Sequence, residues 1–399
     1  MRVLHLSSLY PPFSVGGAER VVEMLAEGSA ANGIHVGVAH LAPQPMPPVR
    51  RNLVDVRPLT HRNPLWIGNS ASHLGVVRKF NKVVTLFNAL TSDDFKKVLD
   101  EYQPDIVHSH SMVELTPRMW KSAKDWGAVI VHTLHDYDLL CIRAALYKDD
   151  ARCTRTHLSC AAFSSIKRHY HSNIDHVVGV SRAILQTHEE RGFFEGIPPL
   201  RRHVIWNPVR SVAPEAERPA RSGPLTFGFL GRLVPEKGIV QLLDACERMA
   251  GVDGWRLKIA GQAPRDDAFL RERIGNLPVE LVGFVDPAEF FRDIDVLVVP
   301  SVWLEPFGLT IVEAYAHGVS VIGSDIAGVA EIVGSVDASA LFRADDVEAL
   351  ADKMMHIVRG GRDALVPADT TEVLQRTRPE NVVQQYMDVY RSALQLDEV

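Results

Sequence analysis

Two glutamates, Glu305 and Glu313, lie in the segment PSVWLEPFGLTIVEAYAHG from Pro300 to Gly318. A carboxylate at each place can accept hydrogen bonds from vicinal hydroxyls, so one could hold a sugar and the other a ribose. Leu297, Val298 and Val299 have the apolar character of a buried parallel strand, Pro300 and Pro306 punctuate, and Gly308 frees the backbone. Leu309, Val312 and Ala316 then recur at helical spacing. The pattern predicts a strand whose end turns directly into a helix. There the unpaired N–H groups of Phe307, Gly308 and Leu309 would offer a phosphate or a sugar hydroxyl the positive end of a helix dipole. Taken alone, the pair also fits one Glu that favours a helix N-terminus and one that is solvated. The small, apolar surroundings of Glu313 weigh against the second, because a carboxylate there needs a partner.

Two cations stand in an equivalent place upstream. After the strand-like LTFGFLG, Arg232 offers a planar fork for phosphate oxygens and Lys237 a compact charge. Together they could neutralise the charge that develops on a departing phosphate group, although an arginine and a lysine here also fit an ordinary solvated surface. Near the start, Gly16 and Gly17 open a helix and would let backbone amides approach a diphosphate or a sugar, although a glycine pair is by itself also a simple turn. His135 ends AVIVHTLH and precedes Asp136; His108, His110 and His132 read as histidines in structural hydrogen bonds.

The elements that must position these groups alternate. VLHLSS, HVGVAHL, DIVHSHS, AVIVHTLH, HVVGVS and HVIWNP read as strands, with helices over Glu19 to Asn32, Asp93 to Tyr102 and Pro117 to Trp126 between them. The second half repeats the alternation with LTFGFLG, WRLKIAG, VELVGFV, DVLVVPS, VSVIGSD and ALFRADD. Alternation of this kind implies an α/β chain with two doubly wound parallel sheets, and ligands bind outside the carboxyl ends of such strands. The Pro-, Ala- and Arg-rich stretch from Pro208 to Pro224 is the expected linker.

The E-x7-E pair within PSxxEPFGLxxxEAxAxG, with LSSLYPPFSVGGAER, DIVHSHS, VHTLHDYDLLC, VVGVSRAI, VIWNP and FGFLGRLVPEKGIVQLLDA, resembles the retaining nucleotide-sugar glycosyltransferases of family 4 (glycosyl transferases group 1) along most of the chain. The resemblance implies a GT-B fold, two Rossmann-like domains facing a cleft. It implies an acceptor-binding domain over residues 1–207, a donor-binding domain over 208–380, and a terminal helix over 381–399 crossing back to the first. It further implies that Arg232 and Lys237 bind the donor diphosphate and that His135 lies beside the donor sugar; Gly261 and Gln262 after WRLKIA and Val285 after the next strand are expected to line the base, Gly261 alone of them matching a family position. Catalytic roles then fall to His135, Glu305, Arg232 and Lys237, and donor binding to Gly16, Gly17, Arg232, Lys237, Gly261, Glu305, Phe307, Gly308, Leu309 and Glu313. The resemblance also argues against assigning a carboxylate nucleophile and implies front-face attack, with the leaving diphosphate taking the acceptor proton. The chain departs from the family pattern at Pro208, at Ser320 and at Ala327-Gly328, where Gly, Pro and Gly-Gly are usual.

Composition bounds the remainder. With 399 residues, 46% hydrophobic and 23% charged, the chain has room for two globular domains, and a cytosolic enzyme is the expectation. Residues 1–207 carry 24 Lys and Arg against 19 Asp and Glu, and residues 208–399 carry 19 against 30. The basic positions Arg50, Arg51, Arg57, Arg62, Arg78, Lys79, Lys82, Lys96 and Lys97, interleaved with Trp66, Phe80 and Phe87, suit an anionic membrane surface, a phosphate-bearing acceptor or an ordinary solvated face. A lipid-linked glycan acceptor and a peripheral position at the inner face of a membrane follow as expectations. A pI near 6.3 with no recognisable binding module argues against nucleic acid.

No cofactor and no metal are expected if Arg232, Lys237 and a helix dipole carry the diphosphate charge. Asp293-Ile294-Asp295 imitates a metal motif but leads straight into a strand; Cys141, Cys153, Cys160 and His157 offer enough ligands for a tetrahedral zinc, at a spacing that fits no standard module, and also read as three reduced thiols. The competing readings are a sugar-nucleotide-binding scaffold without turnover, a nucleotide-sugar epimerase and a phosphorylase. The last would need a lysine suited to pyridoxal phosphate.

Overall fold

A computed structural model describes residues 1–14, 16–66, 75–210, 222–263, 267–362, 365 and 369–395, the side chains of Val76, Arg78 and Lys79 excepted. The centre of the expected linker, residues 211–221, and the side chains of Arg78 and Lys79 in the basic group therefore lie outside the described residues. The chain forms two compact units. The first holds Met1–Leu146, Thr154–Pro208 and Pro379–Val399; the second holds Tyr147–Cys153 and Val209–Arg378.

In chain order the first unit contains β1 (Arg2–Ser7), β2 (His35–Ala42), β3 (Val49–Arg51), β4 (Val54–Thr60), β5 (Ile106–His110) and β6 (Val129–Leu134). A small antiparallel hairpin, β7 (Tyr147–Lys148) and β8 (Ala151–Arg152), groups with the second unit although its neighbours in sequence belong to the first. The first sheet is completed by β9 (His176–Gly179) and β10 (Arg202–Val204), giving the order β10-β9-β6-β5-β1-β2-β4-β3. All its pairings are parallel except β3 with β4.

The second unit contains β11 (Leu225–Leu230), β12 (Trp255–Ala260), β13 (Val279–Gly283), β14 (Val296–Val299), β15 (Ser320–Ser324) and β16 (Leu341–Phe342), ordered β13-β12-β11-β14-β15-β16 and wholly parallel. Strand order reverses between β1 and β5 in one sheet and between β11 and β14 in the other. A crevice opens beyond the carboxyl ends of the strands at such a reversal.

Local chemistry sets the helix ends. The Asn88, Ser181 and Asp346 side chains accept from the backbone N–H groups of Thr91, Ile184 and Ala349, and Gly127, left-handed at φ 102°, stops the helix Arg118–Trp126. The terminal helix Pro379–Gln395 belongs to the first unit and packs on the helix Gly17–Ala31. Gly28 makes room there, since a Cβ on it would fall 2.6 Å from a methyl of Val383. Tyr390 and Tyr386 of the terminal helix reach the sheet, where they meet His108 at 2.6 Å and Thr133 at 3.2 Å. Among the described residues no helix is long and apolar enough to cross a membrane.

Candidate functional site

In the second unit the loops after adjacent strands are joined backbone to backbone. Gly231 donates to the Ala260 carbonyl at 3.1 Å, Leu233 to Gln262 at 3.0 Å, and Gly261 to Gly283 at 2.8 Å. Across the strand-order reversal, the Glu236 carbonyl accepts from Val302 and Trp303. Two glycines permit this closeness. Gly238, at φ 76°, has the Pro300 carbonyl oxygen 1.8 Å from where a Cβ would stand, and Gly261, at φ 142°, has the Gly231 carbonyl oxygen equally near. Packing alone therefore accounts for the glycine at 261, whatever it does for a ligand.

These loops bring Lys237 onto Glu305. The ammonium lies 2.5 Å from Glu305 Oε2 and over the Trp303 ring, and the same oxygen accepts from Trp303 Nε1 at 3.0 Å and Ser301 Oγ at 3.3 Å. Glu305 is not an open carboxylate. It is buried, and the partners draw on Oε2, while among the described residues Oε1 takes no recorded hydrogen bond. Arg232 is exposed by contrast, its guanidinium 3.9 Å from Glu236. The helix Leu309–Ala316 begins where the spacing predicts, capped by Gly308 at φ 105°. Phe307 is buried beneath it and Glu313 is half-buried one turn before its end.

The turn before Gly308 is held from outside by Gly328, whose N–H donates to the Glu305 carbonyl at 2.9 Å and whose Cα approaches Phe307 too closely for any Cβ. Ala327, one of the departures from the family pattern, sits at φ 45°, a left-handed conformation natural to glycine. Asp295 is occupied structurally: it forms an ion pair with Arg362 and accepts from the Thr226 N–H, while Asp293 pairs with Lys258.

The first unit carries Gly16, Gly17 and His135. Gly16 caps the helix Gly17–Ala31 and gives its N–H to Glu19 at 2.9 Å. Its backbone is extended, and a Cβ would meet nothing closer than 3.6 Å, so the described neighbours do not demand glycine there. His135 lies just past β6, partly exposed, with burial holding its pKa down at about 4. Its Nε2 is 3.1 Å from His110 Nδ1, and His110 Nε2 is 2.9 Å from Nδ1 of His5 in β1.

Asp136 beside it accepts the Asp138 N–H at 2.7 Å, and its pKa is pushed up to about 6, first by burial and then by the Asp138 charge. Asp138 pairs in turn with the wholly buried Lys167. His5, His108 and His110 also lie close enough to suggest a cation site. His108 gives both nitrogens to hydrogen bonds with Tyr390 and Thr133, and His5 and His110 bond to each other, which among the described residues leaves His5 Nε2 without a partner.

Cys141 and Cys160 approach to 4.0 Å as thiols, and Cys153, directly after β8, groups with the second unit. Sequence reasoning passed over His5, Lys167 and the exposed Phe284 after β13. The usable signal was the recurrence of histidine inside apolar strand runs.

Comparison with known proteins agrees along most of the chain. The profile described as Glycosyltransferase Family 4 matches residues 15–211, and that described as Glycosyl transferases group 1 matches residues 224–359. An uncharacterised 42.6 kDa protein of the cps region of Klebsiella pneumoniae is 29% identical over 83% of this chain and 87% of its own. The phosphatidyl-myo-inositol mannosyltransferase of Mycobacterium leprae is 34% identical over 46% of this chain and 50% of its own. Among solved structures, sucrose-phosphate synthase from Thermosynechococcus elongatus superposes with a TM-score of 0.75 at 20% identity, covering 99% of this chain and 100% of that one. HepE of Anabaena in complex with UDP gives 0.71 at 18%, covering 98% and 100%. The fold is that shared by these proteins, GT-B.

Proposed function

The chain belongs to family 4 of the glycosyltransferases, the glycosyl transferases group 1, and on that premise we propose that it moves a hexose, with retention, from a nucleoside-diphosphate sugar to a hydroxyl of a lipid-linked glycan. The observation that carries the reading is the Lys237–Glu305 pair at the β11/β14 reversal, with the exposed Arg232 beside it. Arg232 and Lys237 take up the charge of the departing diphosphate. The bond from the sugar C1 to the phosphate oxygen breaks as the acceptor oxygen bonds to C1 on the same face, and the acceptor proton passes to the leaving phosphate. Glu305 is ill suited to nucleophilic attack, because one oxygen is held in a short ion pair. Its Oε1 instead receives a sugar hydroxyl, and Glu313 a ribose hydroxyl. His135 and the Gly16–Gly17 turn serve the transferred sugar and its phosphates. Neither a metal nor a cofactor is required on this reading. HepE has been solved with UDP and with UDP-glucose, which supports a nucleotide-sugar donor here.

A second observation favours the lipid-linked acceptor and a peripheral position at a cytoplasmic membrane face. The helix Gly75–Phe87 is built inside out. Asn81 and Thr85 point inward and bond to the buried Glu114 carboxylate, while Val77, Phe80, Val83, Phe87 and the following Leu90 are exposed. The basic positions contribute less than their number suggested, because Arg51, Arg57, Arg62, Lys82, Lys96 and Lys97 each pair with an acidic residue. Lipid contact on this reading is apolar first, and each inserted ring adds about 2 kcal/mol. The protein should sediment with phosphatidylcholine vesicles with or without phosphatidylglycerol, and Phe80→Ser with Phe87→Ser should abolish it; no sedimentation of the unaltered protein removes the membrane from the reading.

The donor is tested by thermal shift against GDP, UDP, ADP and their sugar conjugates. Stabilisation by one base that is lost in Arg232→Ala names the donor class. Arg232 is the cleaner probe because its removal leaves no buried partner stranded. No shift with any nucleotide counts against a nucleotide-sugar donor at this site.

A further inference from the structure

Three imidazoles, two from the adjacent strands β1 and β5 and one from just past β6 beside them, form one hydrogen-bonded file. His5 Nδ1 meets His110 Nε2 at 2.9 Å, and His110 Nδ1 meets His135 Nε2 at 3.1 Å. His5 and His110 are essentially without solvent exposure, and His5 Nε2 is buried with no hydrogen-bond partner among the described residues. Desolvation holds all three rings neutral, His5 at about 3, His135 at about 4 and His110 well below the ordinary value.

Neutrality makes the file directional. A neutral imidazole has one N–H, and His110 sits between two nitrogen neighbours, so it donates to one and accepts from the other. Both protons therefore point the same way. If they point inward, His135 Nε2–H donates to His110, His110 Nε2–H donates to His5, and the proton of His5 is left on Nε2. That arrangement strands an N–H donor in the core. If they point outward, His5 Nδ1–H donates to His110, His110 Nδ1–H donates to His135, and His5 Nε2 is left with only a lone pair. Orphaned buried donors are rarer than under-used acceptors, which favours the outward sense.

We propose that His110, backed by His5, is a positioning residue that holds His135 in the tautomer protonated on Nδ1, so that the group offered at the rim of the first sheet is a hydrogen-bond donor. It suits an oxygen acceptor on the substrate, a sugar hydroxyl or a phosphate oxygen, and His135 is not poised there as a base. The inference rests on the reading of His135 as a substrate contact only for its purpose; the tautomer itself does not depend on transfer.

Long-range ¹H–¹⁵N spectra of the full chain labelled at histidine read the tautomer directly, the His135 signals being identified by their loss in His135→Gln. The expected pattern shows Nδ1 protonated and Nε2 bare in the unaltered protein. It persists in His5→Asn, whose amide N–H can replace the donor, and moves to Nε2–H in His110→Phe. An Nε2–H pattern in the unaltered protein overturns the proposal without any variant, as does an unchanged pattern in a folded His110→Phe. If the Nδ1–H pattern is found in a protein that transfers no sugar, the transfer reading fails and this one stands.

Discussion

The two units share a doubly wound plan with a strand-order reversal but not a kind of interior. In the first, His5, His108, His110, His132, His176 and His188 are buried in or against the sheet and kept neutral by desolvation. In the second, the cluster around Phe227, Leu242, Leu257, Val298 and Met354 is apolar, and its histidines, His317 and His356, lie at the end of one helix and within another. The same doubly wound plan can thus be filled with hydrogen-bonded imidazoles or with hydrocarbon. The first choice makes stability answer to pH, and the second leaves ionic chemistry to the strand ends.

The largest consequence is acid sensitivity confined to one unit. For a histidine whose folded pKa is lowered, the unfolded chain binds more protons between the two values. Its stabilisation is complete above about pH 6.5 and is lost as pH falls toward the folded value. His132 is held at about 3 and His176 and His188 at about 4, so with His5 each costs about 2 kcal/mol of stability at pH 5. Four such losses rival the whole stability of an ordinary domain. Asp136, raised to about 6, acts in the opposite sense: its contribution is present at low pH and lost as pH rises through that value. One group cannot offset the histidines. Hydrogen exchange at pH 5 should therefore release the amides of β1, β5 and β6 while β11, β12 and β14 stay protected. Equal release in both sheets would break the contrast.

In the second unit the sensitive point lies at the strand ends. Gly261→Ala sets a methyl against the Gly231 carbonyl at an unfavourable φ and should cost about 3 kcal/mol. Gly16→Ala in the first unit should leave stability within about 0.5 kcal/mol and weaken donor binding instead. Urea unfolding followed by a nucleotide titration separates the two glycines, and a destabilised Gly16→Ala would remove the distinction. Lys237→Ala strands the Glu305 carboxylate and should cost about 2 kcal/mol, with partial recovery when Glu305→Gln is added. Arg232→Ala should be the smallest change, within about 0.5 kcal/mol, because its side chain is exposed. If Arg232→Ala destabilised as much as Lys237→Ala, the arginine would be a structural member of the loop and not a ligand's partner.

Much of the fold was legible because its signals are local. Strand runs, the Gly127 and Gly308 helix limits and the turn at Pro300 depend on residues within a few positions of one another. The hairpin β7–β8 and the edge strand β3 escaped notice because strands of two or three residues carry no period, and the seven-residue β4 because Pro58 interrupts its run. The basic stretch misled for a related reason. Its partners Glu23, Asp94, Glu101 and Glu114 come from other elements, so counting charges along the chain overstated the field.

By itself, then, the sequence determined the α/β alternation, the two doubly wound halves, the family and the residue types at the strand ends, since periodicity and turn chemistry are written over short stretches. Only the tertiary structure decided that Lys237 and Glu305, 68 positions apart, share an ion pair. It also decided that His5 stands behind His110 and His135, and that the helix Gly75–Phe87 turns its apolar face outward. Each of these depends on which strands lie side by side and which side chains their packing leaves within hydrogen-bond reach, and no local pattern encodes that.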